Sequence, residues 1–267
     1  MAKRVITAVI LTPVVVGLVI LGGMWLRLAL LLLSLVGLHE LFKAVSGKIL
    51  PVHFAAFLFA ILHFLMVVEA RQEYMLIALS AFVLSTIALT VMCFNKIKLT
   101  DILVTIAGFF YVPFLFSFIY LIRDHNIYFV WLIFISASVS DTVACLVGRV
   151  CGRHKMTGSP SPNKSWEGCI GGVIGAAFTG LVYGLVVIRL TDLSQSMIFY
   201  AMAIAVMGAV FSQIGDFFAS AIKRSVGIKD FGKLLPGHGG VLDRFDSIIA
   251  AAPVVYIVMI GIEYLWM

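Results

Sequence analysis

Charge is what this sequence has least of. Only 12% of its 267 residues are Asp, Glu, Lys or Arg, against 62% that are hydrophobic. No stretch is long and polar enough to make a separate soluble domain. Cysteine is scarce as well. Cys93, Cys145, Cys151 and Cys169 show no zinc-like pair spacing and all are expected on the cytoplasmic side, so no disulfide framework is expected. No A-x-A-like site follows the first apolar run, so MAKRVITAVILTPVVVGLVILGG reads as a retained span, not a signal peptide. Repeats and low-complexity tails are absent, and the chain reads as one domain. The formal net charge of +6 does not point to nucleic acid. In a chain this apolar, basic loops reflect topology and anionic lipid.

What is abundant is hydrocarbon. Mean hydropathy is +1.12, and apolar runs long enough to cross a bilayer recur from end to end. The expected fold is all-α, a polytopic membrane protein with about nine transmembrane helices. The spans are read at 5–22, 25–45, 52–69, 74–94, 101–122, 127–148, 167–189, 196–221 and 247–266, with a tight joint at Gly22-Gly23. With the N-terminus cytoplasmic and the C-terminus outside, all of the 19 basic residues except Arg27, Arg71, Arg123 and Arg189 fall at the inside ends and loops. That bias supports the nine-span reading. Two cytoplasmic loops are longer and richer than the rest, Arg149–Trp166 and Ile222–Asp246, so the chemistry is expected to face the cytoplasm.

The seventh span carries Gly168, Gly172, Ala176, Gly180 and Gly184 at a four-residue period. Such a stripe lets another helix approach closely, within the bundle or across a dimer face.

The polar chemistry concentrates between Ser220 and Asp246. Asp216 lies just before it, inside the eighth span, where a carboxylate is costly and faces a partner or a water-filled cavity. Ser220 and Lys223 follow on the same helical face. The structural alternative is a buried Asp216 paired with Lys223 or Arg224. Asp243 and Asp246, spaced D-R-F-D, share one side of a helix start. They suit Mg²⁺, or they simply complement the helix dipole. Between them stand Lys223, Arg224, Lys229, Asp230 and Lys233, then Pro236-Gly237-His238-Gly239-Gly240. Glycines let backbone N–H groups approach an anion, and lysine and arginine neutralise phosphate. A plain cytoplasmic turn rich in positive charge is the alternative.

A second segment repeats the theme. Asp141 is an acid within the sixth span, and Arg149, Arg153, His154 and Lys155 follow it. Ser161, Lys164 and Ser165 precede a helix N-terminus, a natural anion site. Trp166 is expected to anchor at the interface, and Glu167 serves as a helix-start acid. His39, His53, His63 and His125 read as structural. Glu40, beside His39, receives no role.

The run Ser220–Asp246 resembles the signature of the phosphatidate cytidylyltransferases, or CDP-diacylglycerol synthases. The match covers Ser220, Lys223, Arg224, Lys229, Asp230, Pro236, His238, Gly239, Gly240, Asp243, Arg244 and Asp246. The upstream S-D-T-x-A-x-x-x-G-R and S-P-N-K-S-W-E-G also look like family blocks, with Asn163 for a lysine, Ser165 for a threonine and Cys145 for an aromatic. The resemblance lies in 126–267, the catalytic helices and loops. Residues 1–125, the variable N-terminal helices, match only in hydrophobic character.

The resemblance implies a nucleotidyltransferase: CTP and phosphatidic acid give CDP-diacylglycerol and pyrophosphate. It implies Mg²⁺ with a second cation such as K⁺, a bacterial inner membrane and a homodimer. Catalysis would fall to Asp216, Lys223, Asp243 and Asp246, with Asp216, Asp243 and Asp246 holding metal. Asp141, Ser161, Lys164, Ser220, Arg224, Lys229, Asp230, His238, Gly239, Gly240 and Arg244 would bind substrate. A phosphatidate phosphate is already ionised near neutral pH, so His238 is expected as a phosphate ligand. The substrates would meet in a polar cavity formed by spans six to nine, open sideways to the cytoplasmic leaflet. A transporter using Asp141 and Asp216 for ion coupling explains the crowded loop less well. The D-G-x-x-A-R motif of CDP-alcohol phosphotransferases is absent from the sequence.

Overall fold

The protein is described from a computed structural model, covering residues 2–46, 49, 52–67, 72–93, 96–158, 160–191, 194–234, 237 and 239–266. Pro236, His238, Lys48 and Arg71 lie outside them. The described residues are overwhelmingly helical. In order they are α1 Ala2–Leu21, α2 Gly23–Val45, α3 His53–Val67, α4 Gln72–Met92, α5 Leu99–Phe109, α6 Leu115–His125, α7 Ile127–Phe134, α8 Ser140–Val150, α9 Trp166–Leu190, α10 Met197–Val226 and α11 Leu242–Trp266. Helices are what a lipid-exposed chain must form, because every backbone polar group then finds its partner within the segment. Among the described residues 6 helical stretches are long and apolar enough to cross a membrane: Gly23–Val45, Leu99–His125, Ile127–Val150, Trp166–Leu190, Met197–Val226 and Leu242–Ile262. Leu11–Leu21, His53–Met66 and Leu76–Met92 are apolar and shorter.

Two of the crossings contain a π-helical turn that apolar patterning does not announce. Phe110–Phe114 joins α5 to α6, and Ile135–Val139 joins α7 to α8. Pro113 sits inside the first, and its missing N–H makes a regular α-helical ladder impossible there. The second directly precedes the turn that carries Asp141. At the joint of α1 and α2, Gly22 and Gly23 take φ of 61° and 46°, a region that L side chains avoid.

The chain divides into two compact units, Met1–Leu121 with Val226–Arg244, and Ile122–Ser225 with Phe245–Met267. The loop bearing Lys229 to Arg244 therefore packs with the N-terminal helices. In this first unit the core is aromatic: Phe82 and Phe109 are buried against Ala60, with Phe59, Phe110 and Phe114 around them. His63 is buried among these rings. Ser117 gives its hydroxyl hydrogen to the Phe114 carbonyl (2.7 Å), so its oxygen is left to accept from His63 Nε2 at 2.9 Å. His63 thus ties α3 to the helix after the π-turn.

The second unit packs α8 along α9, with α10 beside them. The small-residue stripe of α9 is buried. A Cβ on Gly168 would stand 2.7 Å from the Ala144 carbonyl of α8, and one on Gly180 would stand 2.8 Å from the Ala201 carbonyl of α10. Packing inside the bundle accounts for the stripe. In lipid this closeness is what holds helices together, since apolar burial alone favours no helix pair over lipid.

Candidate active site

Three membrane carboxylates belong to the second unit, one from each of three helices: Asp141 of α8, Asp216 of α10 and Asp246 of α11. Asp216 lies within electrostatic reach of both others. Asp246 is only 5% exposed. Its Oδ1 accepts from the Ser247 backbone N–H at 2.7 Å, and the Ser247 hydroxyl is 3.3 Å away. The same hydroxyl also lies near Asp141. Ser247 therefore neighbours both the acid of α8 and the acid of α11, a position the sequence did not suggest.

Two cations balance these acids. Lys164 Nζ forms an ion pair with Asp216 Oδ2 and sits 4.6 Å from the Phe217 ring centroid. Lys223, two turns after Asp216 on α10, acts on Asp246. Asp216 forms its ion pair with Lys164, from a loop distant in sequence, where local spacing offered Lys223 and Arg224. Ser220 lies between Asp216 and Lys223 on the same half-buried face of α10.

Lys164 is delivered by a loop clipped shut on itself. Lys155 and Ser165 pair as an isolated antiparallel bridge, and Met156 N–H donates to the Lys164 carbonyl at 3.0 Å. The Lys164 N–H in turn donates to the Ser161 carbonyl at 3.1 Å. Ser165 caps α9, its hydroxyl accepting from Gly168 N–H at 3.1 Å, so that oxygen already serves the helix. Glu167 does more than open a helix. It accepts from the His154 backbone N–H and pairs with His154 Nδ1, tying the loop to the first turn of α9.

Gln213, one turn before Asp216, completes the framework. Its amide donates to Ser140 Oγ at 2.9 Å and to the Cys169 carbonyl at 3.0 Å, joining α10 to α8 and α9. The signal the sequence offered was an amide one helical turn before the acid, in a span otherwise largely apolar.

Among the described residues, two cavities of this unit bear on the site. One of about 350 Å³ carries charged and polar side chains in its wall, Asp141, Arg149, Asn163, Lys164 and Ser165, beside Cys169 and small residues. The other, about 820 Å³, is largely apolar and runs beside α9 and α10 past Trp166, Ile170, Val173, Ile174, Val210 and Phe217, with Lys155 at its wall. Both reach Cys169, so the cavity with the charged side chains and the apolar groove meet at one residue of α9.

The predicted residues Lys229, Asp230, Gly239, Gly240, Asp243 and Arg244 belong to the first unit. Lys229, Asp230 and Arg244 are exposed. Gly239 takes φ of 86°, a conformation that favours glycine. Gly240 N–H donates to Asp243 Oδ2 at 3.0 Å, and Phe231 N–H donates to the same oxygen at 2.8 Å. Asp243 Oδ2 thus organises its own loop, and the Gly240 N–H is engaged there.

The donor set suits Mg²⁺ in kind. Carboxylate oxygens are its preferred protein ligands, and it takes one or two of them, leaving other positions to water and phosphate. Asp216 and Asp246 supply two. Among the described residues, no group of three or more His, Cys, Asp or Glu side chains forms a metal cage. The Lys164 ammonium beside Asp216 shows that this carboxylate holds positive charge.

A family profile described as "Cytidylyltransferase family" matches residues 2–261. The chain is 32% identical over 267 residues to the phosphatidate cytidylyltransferase of Staphylococcus haemolyticus (strain JCSC1435), covering 97% of this chain and 99% of that protein. It is 33% identical over 276 residues to the phosphatidate cytidylyltransferase of Staphylococcus aureus (strain COL), with the same coverage of 97% and 99%. The protein of that name from Staphylococcus saprophyticus is 32% identical over 268 residues, covering 98% of this chain and 100% of that one. The likeness extends through the N-terminal helices, which the motifs alone left out.

Proposed function

The chain belongs to the cytidylyltransferase family, and on that footing we propose that it transfers CMP from CTP to phosphatidate, making CDP-diacylglycerol and pyrophosphate. One observation carries the lipid half of this reading. A cavity with Asp141, Arg149 and Lys164 in its wall adjoins a more apolar groove at Cys169. An amphipathic substrate needs both, one for its phosphate and one for its chains.

The lipid phosphate monoester is the nucleophile. One of its oxygens bonds to the α-phosphorus of CTP, the bond from that phosphorus to the bridging oxygen breaks, and pyrophosphate leaves with the electron pair. Both reactants are polyanions, so bringing them together in line is the main task. Lys164 and Lys223 are partly buried within the second unit, and Arg224 follows at the end of α10. They neutralise phosphate oxygens and hold the two groups in register. Asp216 and Asp246, with Asp141 in the same electrostatic cluster, hold the lysines in place and would hold Mg²⁺, with a second cation such as K⁺. Bound Mg²⁺ neutralises charge on the phosphates. Lys229, His238 and Arg244 are assigned to phosphate on the spacing of the signature alone.

The reading places nine crossings in a bacterial inner (cytoplasmic) membrane, with the N-terminus and the site on the cytoplasmic side and the C-terminus outside. It takes the protein to be a homodimer. The bias of basic residues toward one side supports the orientation. The test is purified protein reconstituted with phosphatidate and radiolabelled CTP. Labelled CDP-diacylglycerol must form in proportion to enzyme, and its absence would sink the reading.

A further inference from the structure

Glu40 has no place in the chemistry above. It lies on α2, in the N-terminal helices, and is only 6% exposed. Its carboxylate accepts from Val241 N–H at 3.1 Å and from Leu242 N–H at 2.9 Å. These amides stand at the start of α11, where the first turn of a helix has no internal acceptors. A buried carboxylate there satisfies two orphan donors and meets the positive end of the helix dipole.

The cap is built to fit. Gly232 and Gly240 flank it, and a methyl group on either would overlap the Glu40 carboxylate. Gly37, less than one helical turn before Glu40 on α2, lies against Val112 and Leu242, so the helix that bears the carboxylate is itself seated on α11's first residue. The neighbouring amide is held the same way. Gly240 N–H donates to Asp243, so three consecutive amides, 240 to 242, are gripped by two carboxylates. Asp243 and Asp246 sit within the next turn of α11. A loosened cap would leave both without a fixed helix start.

We infer that Glu40 is a positioning residue for the cytidylyl transfer proposed above: it fixes, from the N-terminal helices, the start of the helix that carries Asp243 and Asp246. The inference rests on that reading for its reaction, and on the cap geometry for itself. Glu40→Gln retains one carbonyl acceptor and the side-chain shape, whereas Glu40→Ala retains neither.

The experiment combines steady-state kinetics with hydrogen–deuterium exchange of the peptide covering 239–245, on full-length protein in lipid nanodiscs. Glu40→Ala is expected to lower kcat by about 10-fold or more, the scale of a lost bond to a charged group. KM for CTP and for phosphatidate should stay within about 2-fold, because no substrate contact is removed. Exchange at 239–245 should quicken by about 10-fold while other peptides hold their protection. Glu40→Gln should fall between Glu40→Ala and wild type on both readouts, with an unchanged melting midpoint. Unaltered exchange in Glu40→Ala overturns the cap. Faster exchange with wild-type kcat overturns the positioning role. Wild-type protein that makes no CDP-diacylglycerol would refute the proposed reaction, and exchange would still decide the cap.

Discussion

Lys164 leaves the loop before α9 and pairs with Asp216 inside α10, with its ammonium over the Phe217 ring. About a quarter of each side chain in the ion pair is exposed, 26% and 27%. A pair mostly withdrawn from water, beside a cavity, keeps a charge ready for an incoming anion without leaving the acid uncompensated. Substrate phosphate would compete with Asp216 for the ammonium.

Lys164→Ala should therefore cost more than a loop lysine normally does. The expected fall in kcat/KM for CTP is at least about 100-fold, since both a phosphate ligand and the counter-charge of Asp216 are removed. Lys164→Arg keeps the charge and should recover part of it. A Lys164→Ala protein with wild-type kcat/KM would place the pair outside the site.

Asp243 and Asp246 are three residues apart on one helix and should respond differently to removal. Asp243 Oδ2 holds the Phe231 and Gly240 amides, whereas Asp246 is joined to Ser247 and lies in reach of Asp216 and Lys223. Both alanine variants should lose turnover. In Asp243→Ala, limited proteolysis should cut faster between 229 and 241, because two loop amides lose their acceptor. Asp246→Ala should leave that rate unchanged. Equal rates in the two variants would contradict the division of labour.

Removal of divalent cation is the direct test of the metal assignment. Chelation should abolish turnover and added Mg²⁺ should restore it. In Asp216→Asn the half-saturating Mg²⁺ concentration should rise by about 10-fold or more, since one of two carboxylate ligands is weakened. An unchanged Mg²⁺ requirement would remove Asp216 from the assignment.

The helices were legible because a bilayer demands about 20 apolar residues per crossing, and that demand overrides finer pattern. The π-turns were not, since nothing in FYVPF or ISASV except Pro113 distinguishes them from regular helix. Asp141 and Asp216 stood out as acids in hydrocarbon. Their partners did not: local spacing offered Lys223 and Arg224 to Asp216, while the loop clip brings Lys164. Glu40 stood beside His39 with no legible role, because its partners are main-chain amides some 200 residues later, and amides leave no mark in a sequence.

If the groove beside α9 takes the acyl chains, narrowing it should touch one substrate only. Ile174 lines the groove and is 63% exposed, so a larger side chain fits there without disturbing the bundle. Ile174→Trp should raise KM for phosphatidate several-fold and leave KM for CTP unchanged. The reverse pattern would move the lipid elsewhere.

The stripe on α9 predicts where a single methyl group is intolerable. A Cβ on Gly172 would stand 2.7 Å from the Ser140 carbonyl and 2.9 Å from Gln213 Nε2. One neighbour is backbone and the other is the amide that ties α10 to α8, so neither can yield cheaply. Gly172→Ala should cost about 1–3 kcal/mol, the usual range for overpacking, and lower the melting midpoint in detergent. It should also lower turnover, because α8 carries Asp141 and Gln213 lies one turn from Asp216. Gly17 of α1 makes the contrast. Nothing lies within 4 Å of a Cβ there, so Gly17→Ala removes backbone entropy from the unfolded chain without a clash. Its midpoint should hold or rise. Equal midpoints for the two variants would mean that α8 and α9 are not packed as closely as Gly172 requires.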